Sequence, residues 1–356
     1  MTPRVSVIMA AHNAGRFVAE AVESILRQTM PDWELIVVDD ASTDDTPEVL
    51  RRFNDPRITI LRNEQNSGPA VSRNRALDAA RGEYIAILDA DDVALPQRLE
   101  RQAQFLDGHR DVSAAGSWAE KIDETGRVLD LWQTPTHPAQ IEFMMTHTCP
   151  LLHPSAMARV KALRSMGGYD PAYPCAQDYD MWVRLALEGH RFACLPEVLI
   201  RYRSSAGQIS TARRAEQARY AAQAAERYVK AKLGWTPEAG QMAAYRAILD
   251  GASVFPPELD LDEGIAALRS IFRDFSRHMP AESCAAVQAY IRDRALATAA
   301  LSRRSSPAVC ARLARAMTGP LLGGTLDWRV WMLLASAARH RTLQRIPGKA
   351  ASGGER

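Results

Sequence analysis

The chain has 356 residues, 47% of them apolar, enough to bury a core in one large domain or in a domain with a smaller appendage. With 44 Lys and Arg against 42 Asp and Glu the formal charge is +2, so the composition points to no nucleic acid or other polyanionic partner. Cys149, Cys175, Cys194, Cys284 and Cys310 are odd in number and scattered, which excludes a small disulfide framework or a close-paired zinc site and fits a reducing cytosol.

Residues 5–10, VSVIMA, predict a strand reached with no signal-peptide core before it, and Phe17, Val18, Ala21, Val22, Ile25 and Leu26 then recur at helical spacing. The run 34–38, ELIVV, predicts a second strand; Ser42 with Asp45 three residues on is a cap signature opening a helix through Val49, Leu50 and Phe53. Residues 58–61, ITIL, lead through Asn66, Ser67 and Gly68 into a third helical segment at 69–80, and YIAIL at 84–88 gives a fourth strand. Short strands apolar on both faces, alternating with helices, predict right-handed βαβ units and a doubly wound α/β sheet, mixed but mostly parallel. Ligands bind outside the carboxyl ends of such strands, and those ends carry Ala11, His12 and Asn13, then Asp39 and Asp40, then Arg62 and Asn63, then Asp89 to Asp92.

From about residue 100 to 210 the pattern is mixed, with strands expected at 112–118 and 192–203 and a helix at 178–188. Further on the chain is rich in Ala and Arg and predicts helix, interrupted at Pro237, Pro256, Pro280 and Pro320. The expected domains are 1–215 for the sheet, 216–346 for a helical C-terminal module and 347–356 for a disordered tail. Asp327 and Arg329 interrupt the most apolar stretch, 321–338, so no spanning helix is expected. Residues 312–345 interleave apolar residues, Trp328 and Trp331 with six Arg, which reads either as interfacial helices making peripheral membrane contact or as core helices with a solvated basic face.

The residue types that could carry chemistry each have two readings. In an extended stretch Asp89 and Asp91 would point the same way, toward one divalent ion or one ribose–phosphate unit; the alternative is a solvated acidic loop. Asp40 suits a nucleobase N–H, or turn chemistry before Ser42. Arg73 suits a base or a diphosphate, or a solvated helix face. Asp178 begins a helix, where it is an N-cap, a general base for an alcohol, or both; Asp180 lies about 200° around that helix and cannot share its site. His153, before Pro154, reads as structural. Neither a Gly-x-Gly-x-x-Gly nor a Walker-type loop follows the first strand, which counts against a dinucleotide dehydrogenase or an NTPase.

In order along the chain, VSVIMAAHNAGRFVAEAVESILRQT, WELIVVDDASTDDT, NSGPAVSRNRAL, GEYIAILDADDVALPQRLERQ, HPSAMAR, GGYDPAY and AQDYDMWVRLA resemble the inverting glycosyltransferases of family 2, of bacterial surface-glycan type. The resemblance implies the GT-A fold, a nucleotide-sugar donor that is commonly UDP-linked, Mg²⁺ or Mn²⁺, and a glycan or lipid-linked acceptor. The expected location is cytoplasmic, at the inner face of the membrane if the C-terminal helices are interfacial. Carried over residue by residue, it implies that Ala11, His12, Asn13 and Asp40 cradle the base and that Arg73 holds the nucleotide. Asp89 and Asp91 would meet ribose and the metal–diphosphate, Asp91 as the principal metal ligand, and Asp178 would be the catalytic base. Relatives often carry a His shortly after the strand matching LIRYR; Arg201 to Ser205 contain none, so either Arg203 substitutes as a cation or the metal relies on fewer protein ligands. Two other classes compete: a non-catalytic nucleotide-sugar or glycan binding module on the same fold, against which the complete acidic set stands, and a nucleotidyltransferase, whose Gly-rich basic loop AAHNAGRF lacks.

Overall fold

The structure, a computed structural model, describes residues 2–205, 213–251, 254–303 and 305–317. The chain divides into two compact units, Met1–Gly234 and the residues from Trp235 onward.

The first unit opens with the predicted alternation: β1 (Val5–Ala11), α1 (Val18–Leu26), β2 (Trp33–Asp39), α2 (Thr46–Leu50), β3 (Ile58–Arg62), α3 (Pro69–Ala79) and β4 (Tyr84–Ile87). Helix α1 buries Val18, Ala21, Val22 and Ile25, the side chains whose spacing predicts it. There follow β5 (Val93–Ala94), α4 (Arg98–Gly108), β6 (Val112–Ile122), β7 (Val128–Trp132), α5 (Pro138–Met144), a single 3₁₀ turn at His153–Ser155, β8 (Met157–Arg159), α6 (Val160–Ser165), α7 (Gln177–Leu187), β9 (Arg191–Arg203) and α8 (Arg214–Leu233). The strands form one mixed sheet in the order β3-β2-β1-β4-β8-β6-β9-β5, with β7 attached to β6. Strand β1 runs parallel to β2 and β4, β2 to β3, and β6 to β9. The short strands β5, β7 and β8 pair antiparallel. Two or three residues are too few to show a period, so β5 and β8 leave no pattern in the sequence.

Register decides what the sheet presents. Ala11 lies opposite Asp39, and Asp39 opposite Arg62, so three strand ends finish level on one rim. Ile8 pairs with Ile87, which brings the residues after β4 to the same edge. The opposite rim is closed by a buried polar knot. There the Ser6 hydroxyl donates to Glu34 Oε1 at 2.6 Å and accepts the Gly82 N–H at 2.8 Å, while Arg81 Nη2 and Nε reach Glu34 Oε2 at 2.6 and 2.9 Å. A Cβ on Gly82 would stand 2.6 Å from the Ser6 backbone nitrogen, so only glycine lets the two strands close here.

Helix α8 falls on the N-terminal side of the division, although the sequence assigns it to the C-terminal module. Its Arg227 pairs with Asp180 of α7 and donates to the Tyr173 hydroxyl, and its Lys232 pairs with Glu142 of α5. These long-range ion pairs leave no trace in local composition.

The second unit contains α9 (Ala239–Asp250), α10 (Leu261–Ser276), α11 (Ala281–Ser302) and α12 (Pro307–Ala316). Asp260 caps α10 by accepting from the backbone of Asp262 and Glu263, and the buried face of α10 carries Leu268, Ile271, Phe272 and Phe275. None of the described helices is long and apolar enough to cross a membrane. The Trp- and Arg-rich stretch from residue 318 and the tail 347–356 lie outside the described residues.

Burial pushes the Glu34 carboxyl up, but the Ser6 hydroxyl and the Arg81 amide and guanidinium outweigh it and hold it below its ordinary 4.5. Its contribution to stability is therefore complete above that value and is lost as the pH falls through the lower folded value. Glu34→Gln should cost about 1–3 kcal/mol in urea unfolding at pH 7, with the gap to wild type closing as the pH falls below 4.5. A gap independent of pH would contradict this account.

Candidate active site

The rim at the ends of β1 and β2 is organised around buried carboxylates. Asp40, just past β2, has 3% of its surface exposed. Its Oδ1 accepts Asn63 Nδ2 at 2.6 Å and the Ser67 N–H at 2.9 Å, and its Oδ2 accepts the Gly68 N–H at 2.8 Å. Gly68 directs that N–H with a φ of 85°, a conformation that side chains disfavour. The Asp40 backbone carbonyl accepts from His12 Nδ1 at 2.8 Å, which leaves Nε2 to accept Asn66 Nδ2 at 3.0 Å and fixes the tautomer. Ala11 contributes its carbonyl oxygen, which accepts the Asp40 N–H at 2.8 Å.

The loop after β1 is bolted to the loop after β2. Asn13 accepts the Thr43 N–H at 2.9 Å on its side chain and donates its own N–H to Ser42 Oγ at 2.9 Å; the Ala14 N–H goes to Thr46 Oγ1 at 2.8 Å. Ser42 thus supports the Asn13 loop; it does not cap α2, whose first turn draws on Asp44. Hydrogen bonds thus tie Ala11, His12 and Asn13 to Asp40 and the loop that follows it.

Beyond β4 the chain does not stay extended. The Asp92 N–H bonds the Asp89 carbonyl at 3.2 Å, closing a turn over 89–92, so the expectation that Asp89 and Asp91 align as alternate residues of a strand does not hold. The turn lets the chain reverse into β5 while Asp89 meets α3: Arg73 Nη2 donates to Asp89 Oδ1 at 2.6 Å. Burial acts against both charges, yet each holds the other, so the Asp89 carboxyl stays below and the Arg73 guanidinium above its ordinary pKa. Arg73 is 6% exposed, not a solvated helix face.

Asp92 is fully buried and braces the turn, its Oδ1 accepting the Arg203 N–H at 2.8 Å. Burial, then the nearby Asp91 and Asp89, push its carboxyl well above the carboxylate range. Arg203 completes the brace. Its Nε donates to the Asp91 carbonyl at 2.8 Å, its Nη1 to the carbonyls of Asp123 and Glu124 at 3.2 and 3.3 Å, and its Nη2 pairs with Glu20. With the guanidinium also 4.6 Å from the Phe17 ring, Arg203 is committed to holding the loop in place, and the idea that it replaces the His of relatives as a free cation is corrected.

A third group faces Arg73 and Asp89. Tyr169 is held by a reciprocal pair with Asn74, whose Nδ2 donates to the Tyr169 carbonyl at 2.7 Å and whose Oδ1 accepts the Tyr169 N–H at 2.8 Å. The Arg73 guanidinium lies 5.8 Å from its ring. The Tyr169 hydroxyl stands 3.4 Å from His153 Nε2, and the His153 ring meets those of Tyr169 and Trp182 edge-on. Burial, then Arg73, lower the imidazole to about 4 against the opposing pull of Asp178 and Asp89, so it is neutral at physiological pH. The sequence treats His153 as structural because a lone His before Pro has no local signal; the fold brings it among charged groups.

Asp178 sits in the first turn of α7, but the cap position belongs to Ala176, with φ 53°, and Asp178 makes no capping bond. Its Oδ2 lies 3.4 Å from Cys149 Sγ, and its charge acts on Arg73, His153 and Tyr169. Asp180 is fully buried and paired with Arg184 and Arg227, which separates the two acids as expected. Asp89 and Asp91 offer hard carboxylate oxygens, the donor type that Mg²⁺ or Mn²⁺ takes when phosphate oxygens and water complete its shell. Among the described residues no three His, Cys, Asp or Glu gather into a group that could hold a metal ion.

Comparison with known proteins places the chain in a family. The family model described as "Glycosyl transferase family 2" matches residues 6–167. An uncharacterized glycosyltransferase of Methanocaldococcus jannaschii is 37% identical over 206 residues, 56% of this chain and 71% of that protein. The Escherichia coli UDP-Glc:alpha-D-GlcNAc-diphosphoundecaprenol beta-1,3-glucosyltransferase WfgD is 42% identical over 102 residues, 29% of this chain and 40% of that protein. Among solved structures, S. aureus TarS 1-349 in complex with UDP-GlcNAc superposes with a TM-score of 0.51 at 19% identity, covering 86% of this chain and 90% of that one, a likeness of fold that identifies the sheet as GT-A.

Arg203→Met should therefore lower stability with no nucleotide present, by about 2–4 kcal/mol, because four carbonyl and carboxylate acceptors lose their donor at once. Urea unfolding of the ligand-free variant measures it, and wild-type stability would contradict the bracing role.

Proposed function

The chain belongs to glycosyltransferase family 2, and from that premise we propose that it moves a sugar, with inversion, from a nucleoside-diphosphate donor to a hydroxyl of a glycan or lipid-linked acceptor. The proposed donor is UDP-linked and the proposed setting is cell-surface glycan synthesis at the cytoplasmic face of a membrane, a choice supported by the UDP-Glc and diphosphoundecaprenol in the name of the E. coli relative. One observation supports the mechanistic reading: the Asp178 carboxylate acts electrostatically on Arg73, which pairs with Asp89, and both charges act on His153 and Tyr169.

In this reading the surface of Ala11, His12, Asn13 and Asp40 takes the base, and Arg73 holds the nucleotide beside Asp89. Asp178 accepts the proton of the acceptor hydroxyl as its oxygen attacks the anomeric carbon on the face opposite the departing diphosphate. Inversion is the stereochemical result. Arg73, kept charged by Asp89, offsets negative charge that grows on the leaving group. Asp91, with Asp89, would hold Mg²⁺ or Mn²⁺, which supplies further charge neutralisation at the diphosphate when bound.

Asp178→Asn should leave nucleotide-sugar binding within about twofold and reduce transfer by at least about 10²-fold, since a positioned base contributes about 10²–10⁴-fold. Calorimetry and a radiolabelled transfer assay measure the two, and NMR of the new glycosidic bond reads the anomer. Undiminished transfer removes Asp178 from the role; donor binding without turnover in wild type, across Mg²⁺, Mn²⁺ and EDTA, would favour a binding module.

A further inference from the structure

Two buried side chains beside Asp89 and Asp178 each carry a polar atom that the fold leaves without a partner. Arg73 spends Nη2 on Asp89, while its Nη1 is buried and makes no hydrogen bond. His153 has Nε2 near the Tyr169 hydroxyl, while its Nδ1 is likewise buried and unbonded. The two residues are 6% and 7% exposed and flank the same Tyr169 ring, the guanidinium 5.8 Å and the imidazole 5.6 Å from its centroid. Trp182, whose ring meets His153 edge-on, adds a third orphaned donor, its indole N–H. A buried donor or acceptor left unpaired is costly, and the fold places several such groups around one ring system.

We infer that Arg73 Nη1 and His153 Nδ1 together receive one hydroxyl group of the transferred sugar, making His153 a specificity-determining residue for that sugar. A hydroxyl is the group that matches both atoms: its oxygen accepts from the guanidinium while its proton goes to the ring nitrogen of a neutral imidazole. The buried Tyr169 and Trp182 rings pack edge-on against the imidazole and fix its orientation. The inference deepens the donor reading above and rests on it.

The two amide replacements of His153 separate recognition from support. In His153→Asn the amide occupies the place of Nδ1, and in His153→Gln the place of Nε2, the atom beside Tyr169. Calorimetry with UDP, GDP, UDP-glucose, UDP-galactose, UDP-N-acetylglucosamine and GDP-mannose first finds the nucleotide sugar that wild type binds. His153→Gln should then lose about tenfold in affinity for that sugar nucleotide and nothing for the free nucleotide, while His153→Asn stays near wild type. The reverse order, a loss shared by the free nucleotide, or no loss in either variant overturns the contact. Wild type binding none of the six overturns the donor reading itself. Mono-deoxy forms of the bound nucleotide sugar, measured on wild type, test the same contact whether or not a variant folds: one position should cost about tenfold, and equal binding of all of them overturns it.

Discussion

A carboxylate taken out of water must be met by donors, and the rim of this sheet is organised by that requirement. Asp40 collects Asn63, Ser67 and Gly68, and in doing so shapes the entry to α3. Asp89 takes Arg73 from the first turns of that same helix. Asp92 takes the backbone of Arg203, and Asp180 takes Arg184 and Arg227. Asp40, Asp89 and Asp92 therefore tie loops and a helix to the strand ends they follow, and Asp180 ties α8 to α7. Among these acids Asp178 is set apart, since its neighbour is the weakly donating thiol of Cys149 in place of a guanidinium.

This arrangement divides the acidic run after β4 by role. Asp89 is anchored to α3, Asp91 has its carbonyl gripped by Arg203, and Asp92 is inside the fold with its pKa raised. The same division explains the choice of residue at 203. A guanidinium can serve the Asp91, Asp123 and Glu124 carbonyls and Glu20 together, whereas an imidazole has two nitrogens.

Much of the first half was legible in the sequence because its signals are local. Parallel strands buried on both faces write continuous apolar runs, and the polar residues that end them mark the rim, so Ala11, Asp40 and Asp89 could be placed together before any coordinates. The turn at 89–92 was hidden because its cause is the distant Arg203 and not anything in the tetrapeptide. Strand β7 was hidden for a different reason: Val128, Leu129, Leu131 and Trp132 are exposed, so its apolar residues do not alternate with burial. His153 and Tyr169 acquire their setting from α3 and α7, and no spacing within their own segments records that. The boundary near residue 215 followed composition, whereas the fold follows the Arg227–Asp180 pair.

The grip of Arg203 on Asp91 spans 112 residues of chain. A chain emerging from the ribosome can pair β1, β2, β3 and β4 while the rest is still being made, since their crossover connections are local. It cannot finish the turn that follows β4 until β9 has been synthesised and laid beside β6. While residues 93 to 203 are being made, then, the buried acid Asp92 waits without its backbone donor, and a chain interrupted before β9 holds the β3-β2-β1-β4 half of the sheet with the turn beside it unformed.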